Sequence, residues 1–245
     1  MPAPKKKRFK FVLSYILYCS LSFSFVGSTR EDLNGVDFDW EQPQDKNQMM
    51  GYMTLIVETW SAFQNSPSNL LVTVALHPNQ FLPKAIFQYI DRVHLMTYDM
   101  IMPSSTKGGY LHHADFNMAK QMVEAFVERG CPRSKLVLGI PAYGRHGKDP
   151  NQVMTFSDLV SVNGIGGLHT RQESNGYLYD SPINVRAKVK WAAENQLAGV
   201  FFWEAGQDVI FESGVKERGL LQSAADEATQ LASLASKGEV WQLDI

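Results

Sequence analysis

From Leu33 onward, short β-rich runs alternate with longer stretches of helical character, and this alternation constrains the fold more than any other feature. Such alternation is typical of βα units arranged around a parallel sheet. The runs that predict strands are Gly35–Trp40, Leu70–Leu76, Val93–Tyr98, Leu136–Ile140 and Gly199–Trp203. The stretches that predict helices are Gln48–Phe63, Asn117–Arg129, Val185–Asn195 and Leu220–Ser236. The sequence therefore predicts an α/β fold with one large core.

The segment from His146 to Pro182 interrupts this alternation. It is rich in Gly and Asn and has weak periodicity, so we expect a small insertion at about 146–182, between the fourth and fifth predicted strands. Within it, the Gly-rich run 164–167 is not followed by Lys-Ser/Thr. That run therefore predicts a flexible connection rather than a phosphate-binding loop.

The first 28 residues differ in character from the rest of the chain. A basic start precedes the apolar stretch Phe11–Val26, which is too short and Ser-rich to predict a transmembrane helix. The pattern predicts a signal peptide, with the mature chain starting near Thr29, and hence secretion. The alternatives are an uncleaved membrane anchor at residues 11–26 and a mispredicted first exon.

The bulk composition is that of a soluble globular protein and excludes several partners. The 245 residues carry a formal net charge of -2, so nothing indicates that the chain binds nucleic acid. The two cysteines, Cys19 and Cys131, define no disulfide framework. The histidines form no zinc pattern, and the adjacent His112 and His113 are expected to be loop or surface residues. No cofactor and no metal are expected.

Acidic and apolar residues alternate in the stretch Asn34–Glu41. Alternate side chains of a strand share a face, so one face of this strand is predicted to be acidic and the other apolar. The acidic set is Asp37, Asp39 and Glu41, and the apolar set is Val36, Phe38 and Trp40. Clustered carboxylates repel one another, which raises at least one pKa and can keep a proton donor protonated near neutrality.

Two other interpretations of the acidic face are an edge strand facing solvent and a site for a hard cation. Four further strands of buried, parallel type speak against an edge strand. The aromatic residues at other strand ends speak against a cation site. We therefore favour an acid catalyst in a barrel whose carboxylates point toward one rim.

Four motifs, in order, resemble those of family 18 glycoside hydrolases, the chitinases and their relatives. They are Gly35–Glu41, Met96-Thr97-Tyr98-Asp99, Gly139-Ile140-Pro141-Ala142-Tyr143-Gly144-Arg145, and Gly199–Glu204 with Gly206-Gln207-Asp208. The resemblance covers Leu33 to about Asp208. It implies a (β/α)8 TIM barrel and no cofactor. It also implies the hydrolysis, with retention of configuration, of β-1,4 linkages in chitin or a related N-acetylglucosamine polymer.

In this family the substrate's own 2-acetamido group supplies the nucleophile. The resemblance implies that Glu41 protonates the leaving oxygen and later acts as a base, while Asp39 holds the acetamido group. Asp37 would position Asp39, and Tyr98 would hydrogen-bond the acetamido carbonyl. Trp203 would form an apolar floor under the sugar. The residues expected to contact substrate are Asp99, Met96, Tyr143, Arg145 and Trp203.

The chain departs from the family pattern in two places. Asn34 stands where the family usually has an aspartate, and the amide could hydrogen-bond Asp37 while removing one charge from the cluster. The signature also belongs to the fourth barrel strand, so residues 29–245 are expected to form a partial barrel with strands 4 to 8. A truncated gene model, a second copy or chain that completes the barrel, and a decayed gene would each explain this.

The resemblance leaves the substrate and part of the function open. Chitin, peptidoglycan, N-glycan cores and short oligosaccharides are not distinguished, nor is endo from exo action. A chitinase-like lectin that binds sugar without turnover and an inactive fragment are the alternatives to an enzyme.

Overall fold

The computed structural model describes residues 34–65, 69–105, 108–209 and 218–237. In chain order, the elements are β1 (Gly35–Phe38), α1 (Lys46–Gln64), β2 (Leu71–Leu76), β3 (Arg92–Leu95), α2 (Phe116–Glu128), β4 (Leu136–Pro141), β5 (Tyr143–His146), β6 (Val153–Thr155), α3 (Phe156–Asn163), α4 (Ile165–Leu168), β7 (Glu173–Ser174), β8 (Tyr177–Leu178), α5 (Pro182–Glu194), β9 (Gly199–Trp203) and α6 (Leu220–Lys237). Short 3₁₀ helices connect some of them.

The five predicted strands form one parallel sheet, in the order β1-β2-β3-β4-β9. The four predicted helices are also present, so the predicted α/β class is confirmed. Among the described strands, β1 lies at one edge of this sheet. The expectation that the acidic strand is not an edge strand was therefore wrong for the part of the chain that the structure describes.

The two faces of the sheet bury different kinds of side chain. On one face, apolar residues of every inner strand pack against the helices in the main core, where Val74, Leu95 and Leu138 are fully buried. The other face carries a smaller cluster: Met96, Tyr98, Ala114, Val137 and Phe201. Side chains alternate between the two faces of a sheet. Residues that follow the strand ends and point to the face of this smaller cluster therefore meet at one rim of the sheet.

Gly35 allows β1 to pair closely with β2. A Cβ atom at this position would lie 2.1 Å from the carbonyl oxygen of Leu71, and the backbone has a φ of +153°. No L side chain fits there without moving one of the strands, so this motif glycine sets the approach of the acidic strand.

Side-chain caps fix the starts of the helices that cover the sheet. Asp45 accepts a hydrogen bond from Gln48 N at the start of α1, and Asp115 accepts one from Met118 N at the start of α2. Helix α1 then buries Tyr52, whose ring meets Trp40 edge-on at 5.6 Å. Trp40, which follows β1, is thereby held on the helix side of the sheet.

The predicted insertion is an ordered subdomain that begins slightly earlier than expected. Strands β5 to β8 form an antiparallel sheet in the order β6-β5-β8-β7, accompanied by α3 and α4. The Gly-rich run within it is not a flexible connection, because residues 165–168 form the short helix α4 and Leu168 is buried.

The segment predicted to be a signal peptide or anchor, residues 1–28, lies outside the described residues. Cleavage, secretion and anchoring therefore stay predictions. In the described part of the chain, no helix combines the length and apolar character needed to cross a membrane.

Candidate active site

A cleft opens at the carboxyl ends of four strands of the parallel sheet, where active sites of α/β folds are found. Its lining residues follow or end β1, β2, β3 and β9. They are Asp39, Glu41, Ala75, His77, Met96, Tyr98, Asp99, Phe201 and Trp203. Six of the nine residues proposed from the sequence are therefore brought together here.

The acidic set divides between the cleft and the layer beneath it. Asp39 and Glu41 are solvent-exposed lining residues, whereas the Asp37 side chain is only 16% exposed. Partial burial, then the charge of Glu41 and then that of Asp37, raise the pKa of Asp39 from its usual 3.8 to about 6. Repulsion among the carboxylates was predicted, and in the structure it adds to the effect of burial in raising the pKa of Asp39.

Asp37 is held by two neighbouring strands. Thr73 on β2 donates its hydroxyl to Asp37 Oδ1, and Nδ1 of His94 on β3 lies 2.9 Å from the same oxygen. The hydrogen bond expected from Asn34 is not present among the described residues. The exposed Asn34 contributes its carbonyl oxygen to the sheet by accepting from Leu71 N. This contact is made by the backbone and does not depend on the identity of the side chain at position 34.

Asp99 is the carboxylate of the cleft with the most side-chain partners in the described part of the chain. Arg145 binds it with two hydrogen bonds, Nε to Oδ1 at 2.5 Å and Nη2 to Oδ2 at 2.6 Å. Tyr143 donates to Oδ1 at 2.8 Å, and His113 Nδ1 lies 3.2 Å from it. Burial would raise the pKa of Asp99, but the hydrogen bonds from His113, Arg145 and Tyr143 outweigh it and hold the pKa below its usual range.

Tyr143 and Arg145 are absent from the lining of the cleft, although both were expected to contact substrate. Both belong to β5 of the insertion and approach Asp99 from that side. They therefore support the cleft through Asp99. Any direct contact of either residue with substrate stays a prediction.

The aromatic part of the cleft depends on a second motif glycine. A Cβ atom at Gly139 would lie 2.7 Å from the Leu95 carbonyl oxygen and 2.8 Å from the Tyr98 ring. The absent side chain leaves room for Tyr98, which packs edge-on against Phe201 at 6.1 Å. Trp203 lies two residues after Phe201 on the same face of β9 and completes the apolar wall.

Several functional positions were missed from the sequence. His77, Ala75 and Phe201 line the cleft, while Thr73 and His94 hold Asp37 from below. Each of these residues lies an even number of positions along its strand from another residue on the cleft face of the sheet. Because side chains alternate along a strand, this spacing could have identified them from the sequence. Across the described ranges, no group of three or more His, Cys, Asp and Glu residues is placed to hold a metal ion.

The expectation for the adjacent histidines was also wrong in part. His113 lies in a loop but is buried, stacked between the His112 ring at 5.6 Å and the Tyr143 ring at 5.2 Å. Its contact with Asp99 makes it part of the support of the cleft rather than a surface residue.

A parallel α/β sheet with carboxylates and aromatic side chains at its carboxyl rim is typical of α/β enzymes, the TIM barrels among them. The profile described as "Glycosyl hydrolases family 18" matches residues 3–208. The chain therefore belongs to family 18 of the glycosyl hydrolases. The match begins well before Leu33, so the resemblance extends further toward the N-terminus than the motifs alone indicated.

Chitinases and a Nod factor hydrolase are among the curated proteins similar to this chain. A class V chitinase of Lotus japonicus is 26% identical over 239 residues, which cover 76% of this chain and 60% of that protein. The Nod factor hydrolase protein 1 of Medicago truncatula is 25% identical over 239 residues, covering 76% and 62%. The chain thus spans about 60% of the length of these relatives.

Solved structures share the fold over most of the described part. The family 18 chitinase ChiB of Flavobacterium johnsoniae superposes with a TM-score of 0.66 at 26% identity, covering 81% of this chain and 61% of that one. A chitinase-like agglutinin of Robinia pseudoacacia gives 0.61 at 25% identity, covering 80% and 68%. The TIM-barrel type of fold is confirmed, and the described residues form a partial, open parallel sheet of it.

Proposed function

We propose that the chain hydrolyses β-1,4 linkages in chitin or a related N-acetylglucosamine oligosaccharide by a substrate-assisted, retaining mechanism. The observation that carries this proposal is the cleft itself. It brings the carboxyl groups of Asp39 and Glu41 next to the aromatic wall formed by Tyr98 and Trp203. The names of the similar proteins, chitinases and a Nod factor hydrolase, support an N-acetylglucosamine substrate.

In the proposed reaction, the carboxyl group of Glu41 gives its proton to the glycosidic oxygen as the bond from that oxygen to the anomeric carbon breaks. The carbonyl oxygen of the 2-acetamido group, on the sugar that contains this anomeric carbon, attacks the anomeric carbon and forms a cyclic oxazolinium intermediate. Ionised Asp39 accepts a hydrogen bond from the acetamido N–H and offsets the developing positive charge. Water then opens the ring as the Glu41 carboxylate takes its proton, which restores the starting state.

The remaining residues position the sugar. Asp99 is held ionised by its partners and faces the cleft, so it offers acceptor oxygens to sugar hydroxyl groups. Trp203 and Phe201 provide the apolar surface on which the C–H face of a pyranose packs. Tyr98 lines the same cleft as Asp99, and its hydroxyl is the group proposed to contact the acetamido carbonyl.

A matched pair of substrates tests the mechanism directly. We expect the purified chain to release a fluorophore from a β-chitobioside and not from the β-cellobioside with the same leaving group. Both have β-1,4 linkages, but only the first carries the 2-acetamido groups that the mechanism needs. Comparable release from both substrates would contradict substrate assistance, and release from neither would remove the proposed activity.

A carbohydrate-binding protein without turnover is the second candidate function. It is favoured by the similarity to the Robinia agglutinin, which shares the fold at about the same identity as the chitinases. The presence of Glu41 favours the enzyme. Binding of chitotetraose, measured by calorimetry in a preparation that shows no hydrolysis, would establish the lectin instead.

The pKa of Asp39 should set the acid limb of the pH profile, which is the decrease in the proposed activity at low pH. Because the mechanism needs Asp39 ionised, kcat/KM should fall as the pH decreases through about 6. Asp37→Asn removes one of the charges that raise this pKa, so the midpoint of the limb should move to lower pH. Its shift should be only part of the elevation above 3.8, since burial and Glu41 contribute more. An acid limb that moves to higher pH in Asp37→Asn would contradict this assignment.

A further inference from the structure

His94 lies in the interior of the sheet, directly beneath the acidic cluster. Its side chain is 4% exposed, and the ring packs against Phe201 with centroids 5.2 Å apart. It lies two residues before Met96, and therefore on the same face of the sheet as the cleft wall. The ring itself is absent from the cleft lining, so any effect on substrate must pass through a neighbour.

The two ring nitrogens of His94 have different surroundings. Nδ1 lies 2.9 Å from Asp37 Oδ1, whereas Nε2 is buried and has no hydrogen-bond partner in the described part of the chain. A proton on Nε2 would be a buried donor without an acceptor, while a proton on Nδ1 is donated to a carboxylate. The surroundings thus favour the tautomer with its proton on Nδ1.

The bonds to Asp37 are directional and fall on one oxygen. Oδ1 accepts from both the Thr73 hydroxyl and His94, while Oδ2 is buried without a partner among the described residues. These two hydrogen bonds hold the Asp37 carboxylate in one orientation. The titratable groups around it are Asp39 and Glu41 on its own segment and Tyr52 on α1, whose pKa is raised by burial and by the charges of Asp37 and Asp39.

We propose that His94 is a positioning residue for the reaction, which donates from Nδ1 to Asp37 and thereby fixes the carboxylate that acts on Asp39. This inference rests on the proposed function, because Asp39 is the group that holds the acetamido N–H. His94 is not a catalytic residue, since it acts only through Asp37. Its contribution is to hold the Asp37 carboxylate in one orientation.

Two substitutions of His94 separate this role from simple packing. Both Asn Nδ2 and His Nδ1 are bonded to Cγ, so His94→Asn keeps a donor at nearly the same place, whereas His94→Leu keeps the bulk near Cγ and has no donor. We expect His94→Leu to lower kcat on the chitobioside by at least about tenfold, as expected for a lost bond to a charged group, and to move the acid limb to lower pH. His94→Asn should retain the wild-type limb and most of kcat.

A double-mutant cycle tests whether the effect passes through Asp37. In an Asp37→Asn background, His94→Leu should cause no further shift of the acid limb, because its target charge is already absent. Equal effects of Leu and Asn, or a full effect of Leu in the Asp37→Asn background, would overturn the proposal. If His94→Leu does not fold, His94→Gln replaces it, because that donor lies one bond further from Cγ and should fail to restore the limb.

A second measurement is independent of activity. Long-range ¹H–¹⁵N NMR spectra of the wild-type chain should show the proton of His94 on Nδ1 and none on Nε2 at neutral pH, with His94→Asn used to assign the signal. A proton on Nε2 would overturn the proposal even in an active enzyme. Absence of chitobioside hydrolysis together with an Nδ1 proton would instead remove the proposed function and retain the hydrogen bond to Asp37.

Discussion

Glu41→Gln is expected to lower kcat on the chitobioside by about 10²- to 10⁴-fold, the usual contribution of a general acid. The amide has the shape of the carboxyl group but cannot give a proton to the leaving oxygen or take one from water. Glu41 is exposed at the cleft and makes no hydrogen bond to another described residue, so its replacement should leave the fold unchanged. Melting curves of the variant and the wild type should coincide, and KM should change little.

The matched control is Glu58→Gln, which makes the same chemical change at an exposed position of α1, away from the cleft. It should retain wild-type kcat and KM. A Glu41→Gln variant that keeps more than a tenth of the wild-type kcat would show that another group donates the proton. Because the substitution also removes a charge that raises the pKa of Asp39, any residual activity should persist to lower pH than in the wild type.

Lys188→Met is expected to cost about 3–5 kcal/mol of the free energy of unfolding, the usual result of breaking a buried ion pair. Lys188 and Asp180 are both fully buried, with Nζ 2.5 Å from Oδ2. Lys188 also donates to the Ala114 carbonyl oxygen at 2.8 Å, and Asn184 donates to the other oxygen of Asp180. Methionine fills much of the space but leaves the Asp180 carboxylate in the core without its cation.

Lys190→Met, two residues along the same helix α5, is the control for this loss. Lys190 is 55% exposed and faces Glu194 at 3.8 Å one helical turn away, a kind of pair worth about 0.5 kcal/mol or less. Urea denaturation should therefore separate the two variants clearly. Adding Asp180→Asn to Lys188→Met should recover part of the loss, because it removes the unpaired charge. Equal midpoints for the two single variants would show that the buried pair does not stabilise the fold.

The sequence predicted those parts of the molecule that depend on local periodicity. The alternation of Asp37, Asp39 and Glu41 placed three acids on one face, and the structure agrees, with Asp39 and Glu41 in the cleft and Asp37 below. The strands and helices of the parallel sheet were predicted to within a few residues, because each combines a hydrophobic run of characteristic length with clear end signals.

The parts that the sequence did not predict depend on contacts between residues far apart in the chain. His94 is 57 positions from Asp37, and Arg145 is 46 positions from Asp99. No spacing rule joins such pairs, and only the register of the parallel strands and the placement of β5 bring them together. The buried pair of Lys188 and Asp180, eight positions apart, was missed for a different reason, since a lysine in a helix ordinarily faces solvent.

The bidentate pair of Arg145 with Asp99 joins two structural units with different tasks. Asp39 and Glu41 come from the parallel sheet, whereas Arg145 comes from the antiparallel sheet of the insertion. The carboxyl groups proposed to react therefore belong to one unit, whereas the other unit holds a third carboxylate of the cleft, Asp99, in place. We expect sequence changes in the insertion to act on the cleft through Asp99 and its proposed contacts with sugar, while the proposed proton transfer at Glu41 stays the same, so sugar binding and proton transfer can diverge independently.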